Sequence, residues 1–502
     1  MVDGSKGERR LYVYNHCING IRLAGPYLPF AMKYRIEKDS LGSMTVPGDA
    51  FYGVQTARAL SNFPVSGERN HPSLIRAYAV VKKACAATNH ELGALDAKRA
   101  KAIVRACDGI LAGGRADQFV IDRYQAGAGT SLNMNRSEEH TVNEVIANMA
   151  LESLGHKKGD YARLSPNDHV NMSQSTNDTF PTVAHIALGL DIQQLIGALG
   201  RLESSLLKKA GEYAPLLKSG RTHLQDAVPV TLGQEFSAYA SSIKKSIALL
   251  GAVTGRGYGP TLLEVPIGGT AVGTGINTPP HYRATVIRHL RVLTGLKLFA
   301  SRDPREGLQS RIALSHTSGI LNTIALELIR IANDLRLLSS GPVTGLAEIA
   351  LPAVQPGSSI MPGKANPVMA EALDMICFRV AGNSLTVSMA EQAGQLELNV
   401  MMPLMANTLL ESVDILKNFL PVFAEKAIDG ITVNRERLRY YFEHTPAIAT
   451  LLNPVIGYLN AAEVVKQAIR EGRPVTDIIL EKGFLTRGQL KKLLSPRSIA
   501  GT

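Results

Sequence analysis

L-G-L-D-I-Q-Q-L-I-G-A-L-G-R-L-E-S-S-L, Leu188 to Leu206, decides the architecture: Leu188, Ile192, Leu195, Leu199, Leu202 and Leu206 follow one another in alternating steps of four and three. A repeat averaging about 3.5 residues brings each of these side chains back to one seam of a long helix. The rhythm recurs at Leu232, Phe236, Tyr239, Ile243, Ile247 and Leu250. It is found again at Leu321, Ile324, Leu328, Ile331, Leu335 and Leu338, ended by Gly341-Pro342, and at Leu409, Val413, Leu416 and Leu420. Several such helices between about 182 and 430 predict a bundle of long, nearly parallel or antiparallel helices. An isolated coiled coil is excluded, because compact segments rich in Gly and Pro interrupt the seams.

Working outward, the chain divides into an N-terminal helical domain at 33–176, the central bundle at 177–431 and a small C-terminal domain at 432–502. The last is expected to hold a short helix near Thr486 to Leu494. The fold class is therefore all-α in the main, without internal repeats. Residues 1–32 read as a disordered extension, mixing Gly, Pro, Tyr and both charge signs without periodicity. Asp3 and Glu8 speak against a transit peptide, and Met32 looks like a natural start.

Composition agrees with this frame. In 502 residues, 45% are hydrophobic and 19% charged, as in a globular rather than a disordered chain. Aromatics make up only 5% and Trp is absent, so aliphatic side chains must fill the core, which suits packed helices better than a β-sandwich. The net charge of +11 is spread through helical segments, with Lys6 to Arg10 the densest run. That scatter argues against nucleic-acid binding; it suits steering of a small dianion or simply keeps the protein soluble. Cys17, Cys85, Cys107 and Cys377 form no C-x-x-C pair, so neither a metal site nor a thioredoxin-like motif is expected, and free thiols point to a reducing, cytoplasmic setting. No apolar run reads as approaching a membrane span.

Four polar segments fall at the breaks between helices, where a scaffold displays functional groups. Q-A-G-A-G-T-S-L-N-M-N (Gln125 to Asn135) combines Gly127 and Gly129, which permit close approach of a ligand, with the hydroxyls of Thr130 and Ser131; taken singly, such a stretch is usually only a loop. H-V-N-M-S-Q-S-T-N-D (His169 to Asp178) opens the long helix. Ser175, Thr176, Asn177 and Asp178 read equally as N-caps or as hydrogen-bonding partners of a carboxylate at a helix start. S-G-R-T-H-L-Q-D-A-V-P (Ser219 to Pro229) surrounds His223 with polar neighbours, where a lone His would more often be structural. P-G-S-S-I-M-P-G-K-A-N-P-V-M-A-E (Pro356 to Glu371) reads as a loop with hinge-like ends, and its Lys364 and Asn366 are suited to a carboxylate.

The stretch G-S-S-I-M-P-G-K-A-N-P resembles the signature loop of the fumarase/aspartase superfamily. The other three segments match that family's remaining active-site regions in the same order, and the resemblance runs from about Tyr34 to Leu494. Gly127 to Ser131, S-Q-S-T-N-D, Ala332 to Pro342 and Q-P-G-S-S-I-M-P-G-K-A-N-P-V-M are similar to the aspartase branch rather than to class II fumarase. The resemblance implies a homotetramer whose central domains form a common helical core, with each active site shared by three subunits. It implies reversible anti-elimination of ammonia from L-aspartate to give fumarate, without a cofactor or metal. In that scheme Ser358 is the base on a mobile loop. Lys364, Asn366 and Ser359 hold one carboxylate, while Thr130, Ser175, Thr176 and Asn177 hold the other end and the amino group. Thr222 and His223 reach in from another subunit, and Glu371 orients His223. The nearest alternative is class II fumarase; a lyase for a modified aspartate and a catalytically silent relative are the others. In one place the chain departs from the family pattern N-M-N-x-N-E-V: Arg136 to Val142 separate Asn135 from Asn143, an insertion of about six residues.

Overall fold

The computed structural model describes residues 33–133, 141–255 and 259–500. The extension expected at 1–32, the run Lys6 to Arg10, Cys17 and inserted residues 136–140 lie outside the described residues. The described chain opens on a hairpin of β1 (Tyr34–Asp39) and β2 (Gly42–Pro47), ahead of α1 (Val54–Asn62), α2 (Pro72–Glu91), α3 (Ala97–Leu111) and α4 (Val142–Ser153). Next comes α5 (Thr176–Tyr213), whose 38 residues span about 57 Å at the helical rise. A second hairpin, β3 (Leu217–Thr222) and β4 (Gln225–Thr231), leads into α6 (Leu232–Val253). The middle of the chain continues with β5 (Glu264–Val265), α7 (Tyr282–Thr294), β6 (Phe299–Ala300), α8 (Glu306–Gln309), α9 (Ile312–Leu338), β7 (Ile349–Ala350), α10 (Val368–Gln392) and α11 (Met402–Phe423). After β8 (Thr432–Val433), which pairs with β7, come α12 (Arg435–His444), α13 (Asn453–Ile456), α14 (Tyr458–Glu471), α15 (Val475–Glu481), α16 (Arg487–Leu493) and α17 (Pro496–Ala500).

The architecture is mainly helical, as expected, and the sheets among the described residues are two-stranded. The seams explain the packing. Leu188, Ile192, Leu195, Leu199, Leu202 and Leu206 are fully buried on α5, which packs against α6 and α11. The α9 and α11 seams are buried in the same core, with α9 against α10 and α6; on α6, Ile247 alone is half-buried. Both α5 and α9 are long and apolar enough to cross a membrane, contrary to the reading that no run approaches that length. Their apolar residues are largely spent on the core.

α10 was not legible as a seam because it is apolar on two sides. Leu373, Cys377, Val380 and Val387 face the core, whereas Met375, Phe378, Leu385 and Met389 form an exposed stripe at helical spacing. A second, smaller core gathers Phe442, Ile448, Leu452, Val464, Ile478 and Ile479 near the C-terminus. There the expected short helix is α16, started by a capping box between Thr486 and Gln489. Cys85, Cys107 and Cys377 are buried free thiols.

Candidate active site

The start of α5 is built before any ligand arrives. Ser175 is its N-cap: the hydroxyl accepts from the Asn177 N–H at 3.3 Å, and the Ser175 N–H donates to Asp178 Oδ1 at 2.9 Å. The other oxygen of Asp178 accepts from the backbone N–H of Gly268 and of Thr270, both at 2.9 Å. Burial pushes the Asp178 carboxyl up to about 6, against the pull of those three N–H groups. The Asn177 amide donates to Ala271 O at 2.8 Å. Ser175 therefore does serve as a cap, and it also stands on the wall of a polar cleft of about 380 Å³ that includes Asn171, Gln174, Thr270, Ala271 and Asn277.

The Thr130 loop comes to the same place. The Asn133 amide donates to Thr176 Oγ1 at 2.9 Å. Gly129 has a φ of +78°, and a Cβ there would collide with the ring of Phe180 on α5. Gly127 lies against Val400, whose carbonyl accepts from the Ala128 N–H at 2.7 Å. These two glycines thus answer to packing within the chain. The Thr130 hydroxyl donates to Gly127 O at 3.0 Å. Beyond the loop, the chain on either side of the insertion is closed: Val142 N–H donates to Leu132 O at 3.0 Å and Thr141 Oγ1 to Ser131 O at 3.1 Å.

His223 stands at the tip of the β3–β4 hairpin. Thr222 pairs with Gln225, leaving His223 and Leu224 as a two-residue loop with φ values of +55° and +58°. That turn geometry favours Asn-Gly, so two L side chains with Cβ atoms hold it under strain of about 1–3 kcal/mol each. Thr222, His223 and Leu224 are all exposed. The base of the hairpin is anchored: Lys218 and Arg221 each reach the buried carboxylate of Glu348 at 2.7 Å. Lys218 also reaches Glu235 at 2.9 Å.

Glu348 leads through β7 toward the loop that carries Ser358. Here the neck is tight: Gly357 N–H donates to Lys364 O at 2.8 Å, and the Asn366 amide donates to Gly357 O at 2.8 Å. A Cβ on Gly357 would collide with Lys364 O. Within the loop, Ser358 Oγ accepts the N–H of Ile360 at 3.2 Å and of Met361 at 3.0 Å. Two backbone donors converging on one hydroxyl oxygen stabilise negative charge on it. Ser359, Met361 and Lys364 are exposed, and among the described residues the Lys364 ammonium has no partner.

One chain brings together the Thr130 loop and the Ser175 to Asn177 segment. It does not bring the Ser358 loop or His223 to them by any hydrogen bond or ion pair among the described residues. Glu371, in the first turn of α10, likewise has no bond to His223 within the chain. Sequence reading missed Lys82 of α2, which is fully buried and donates to Asn171 Oδ1 at 2.8 Å and Gln174 Oε1 at 2.9 Å. The available signal was its place inside the apolar run Ala77 to Ala87. Glu348 was missed as well, and its signal was of the same kind, a charge inside the apolar run Leu346 to Leu351.

A family model described as "Lyase" matches residues 42–382, and one described as "Fumarase C C-terminus" matches 448–501. Aspartate ammonia-lyase of Bacillus subtilis is 46% identical over 92% of this chain and 95% of its own length. That of Escherichia coli K12 is 44% identical over 93% and 96%. Among solved structures, the fumarate lyase:delta crystallin of Brucella melitensis in its cobalt-bound form superimposes with a TM-score of 0.87 at 46% identity, covering 93% of this chain and all of that one. The class II fumarase of Schistosoma mansoni does so with a TM-score of 0.84 at 35% identity, covering 93% and 99%. With a lyase model spanning most of its length and relatives this similar from end to end, the chain belongs to the fumarase/aspartase superfamily of lyases.

Proposed function

We propose that the chain is a carbon–nitrogen lyase that converts L-aspartate reversibly to fumarate and ammonia. The observation that carries the reading is the pair of backbone N–H groups aimed at Ser358 Oγ, six residues ahead of the exposed Lys364 on the same loop. The aspartate ammonia-lyases at 44–46% identity supply the substrate. Ionised Ser358 takes the C3 proton, and the electron pair spreads onto the adjacent carboxylate as an aci-carboxylate. It then returns to form the C2–C3 double bond as the C2–N bond breaks on the opposite face. Ammonia leaves with the bonding pair, and the serine proton passes to solvent. Lys364, Asn366 and Ser359 hold the carboxylate that takes the charge, where fixed donors and a cation act most strongly on the barrier. Thr130, Ser175, Thr176 and Asn177 hold the other end and the amino group.

Thr222 and His223 then come from a second subunit, with Glu371 orienting His223. An exposed histidine on a strained hairpin tip supports that role, as does the distance in bonding between the three segments of one chain. The uncovered stripe Met375, Phe378, Leu385 and Met389 on α10 supports a homotetramer built on the long helices, since an apolar seam of this kind is covered by another helix. The setting proposed is the cytoplasm, with no cofactor. Incubating the purified chain with fumarate plus ammonium, and with fumarate alone, tests the reading. Aspartate in the first and no malate in the second is the expected result. Malate from fumarate alone would make the chain a fumarase, and no product in either would make it a silent relative.

A further inference from the structure

α2 carries a cation where a helix facing the core would ordinarily carry a hydrocarbon. Lys82 is fully buried, and among the described residues no carboxylate lies within ion-pairing distance of it. Its ammonium donates to the side-chain oxygens of Asn171 and Gln174. A lysine offers donors only, so both amides must turn their oxygens toward it and their NH2 groups away. Those NH2 groups grip the main chain: Asn171 Nδ2 donates to Gln174 O at 3.4 Å, and Gln174 Nε2 donates to Val170 O and Met172 O, both at 3.1 Å. Asn89 stands seven residues after Lys82, on the same face of α2. It donates to Met172 O at 3.0 Å and accepts from Ser173 Oγ at 2.8 Å. Ser173 itself is held at a φ of +63°, a left-handed conformation that an L residue keeps only when its surroundings impose it. The next residue but one is Ser175.

We propose that Lys82 is a positioning residue for carboxylate recognition: through Asn171 and Gln174 its ammonium sets where Ser175, Thr176 and Asn177 present their polar groups. The inference rests on the reading of that segment as part of the substrate site. The titratable groups facing Lys82 are Cys85 on its own helix, Cys107 from α3, Asp178 from α5 and, through Cys85, Tyr282 from α7. Burial pushes both thiols and the phenol upward, Cys85 to about 12, and pushes Lys82 down to about 7. Substrate affinity should therefore weaken as pH rises through about 7, where the ammonium loses its proton.

The test is Lys82→Met in the full-length enzyme, which keeps the bulk and removes the donors. The KM for aspartate and the inhibition constant of succinate, a dicarboxylate with no leaving group, are expected to rise about tenfold. The kcat should fall by less than about threefold, and the fall in affinity near pH 7 should disappear from the profile. Unchanged KM and inhibition constant in a folded Lys82→Met enzyme would overturn the proposal. If that variant fails to fold, Gln174→Met removes one acceptor and leaves the ammonium bonded to Asn171; the same rise is expected, and its absence overturns the proposal equally. Asn177→Ala run in parallel separates the two readings. If it raises KM while Lys82→Met does not, only the role of Lys82 fails; if it changes neither constant, the site itself has been misread.

Discussion

The beginning of α5 and the loop around Ser358 display the same kinds of group, hydroxyls and side-chain amides, but their support differs. Ser175, Thr176 and Asp178 are buried and bonded to two other parts of the chain, Asn133 and the Gly268 to Thr270 loop, and they follow directly on the turn held by Lys82. The Ser358 loop is exposed and tied to itself, at its neck and at its serine. Binding geometry is thus stored in the folded core, whereas the group proposed to do the chemistry sits on an exposed arm bonded chiefly to itself. Such an arm can close after substrate has entered and shed water as it does so.

Substitutions on the two sides should separate accordingly. The largest effect is expected from Ser358→Ala, with turnover falling about 10³-fold or more while melting temperature and assembly stay as in the parent. A spectrophotometric assay of fumarate formation reads it, and near-normal deamination would remove the serine from its proposed role. Gly357→Ala comes next. Its new Cβ meets Lys364 O, so the neck must open and the serine is displaced, lowering kcat about 100-fold with little change in melting temperature. A loss of stability as large as the loss of rate would show that the loop is not independent of the core. Ser175→Ala is the smallest in rate and the clearest in stability. Loss of the cap should cost about 1 kcal/mol, read as a lower denaturation midpoint. If that variant instead lost turnover at unchanged stability, the contrast between a storing core and a working arm would collapse.

Much of this was legible in the sequence, for identifiable reasons. The seams of α5, α6, α9 and α11 could be read because each helix buries one face, so apolar residues recur at a single period. α10 could not, since its two apolar faces blur that period. The β3–β4 hairpin was hidden because Arg221 to Asp226 lack the alternation of a half-buried strand, and its turn is made by His223 and Leu224 rather than by residues that announce a turn. Lys82 was passed over for a related reason: a lysine in a helix ordinarily reaches solvent, and its apolar neighbours do not declare two amides 89 and 92 residues ahead. Family resemblance located the Ser358 and Ser175 segments, but it could not show that Gly129 is required by Phe180 or that Glu348 ties the His223 hairpin to the root of the serine loop.

The hydrogen bond between Val142 and Leu132 has a practical corollary. It ties Leu132 and Val142, ten residues apart in the chain, directly to one another. Chain length between them can then be altered without moving Thr130 or the first turn of α4. A reporter peptide or an affinity handle spliced there would ride on the enzyme as cargo.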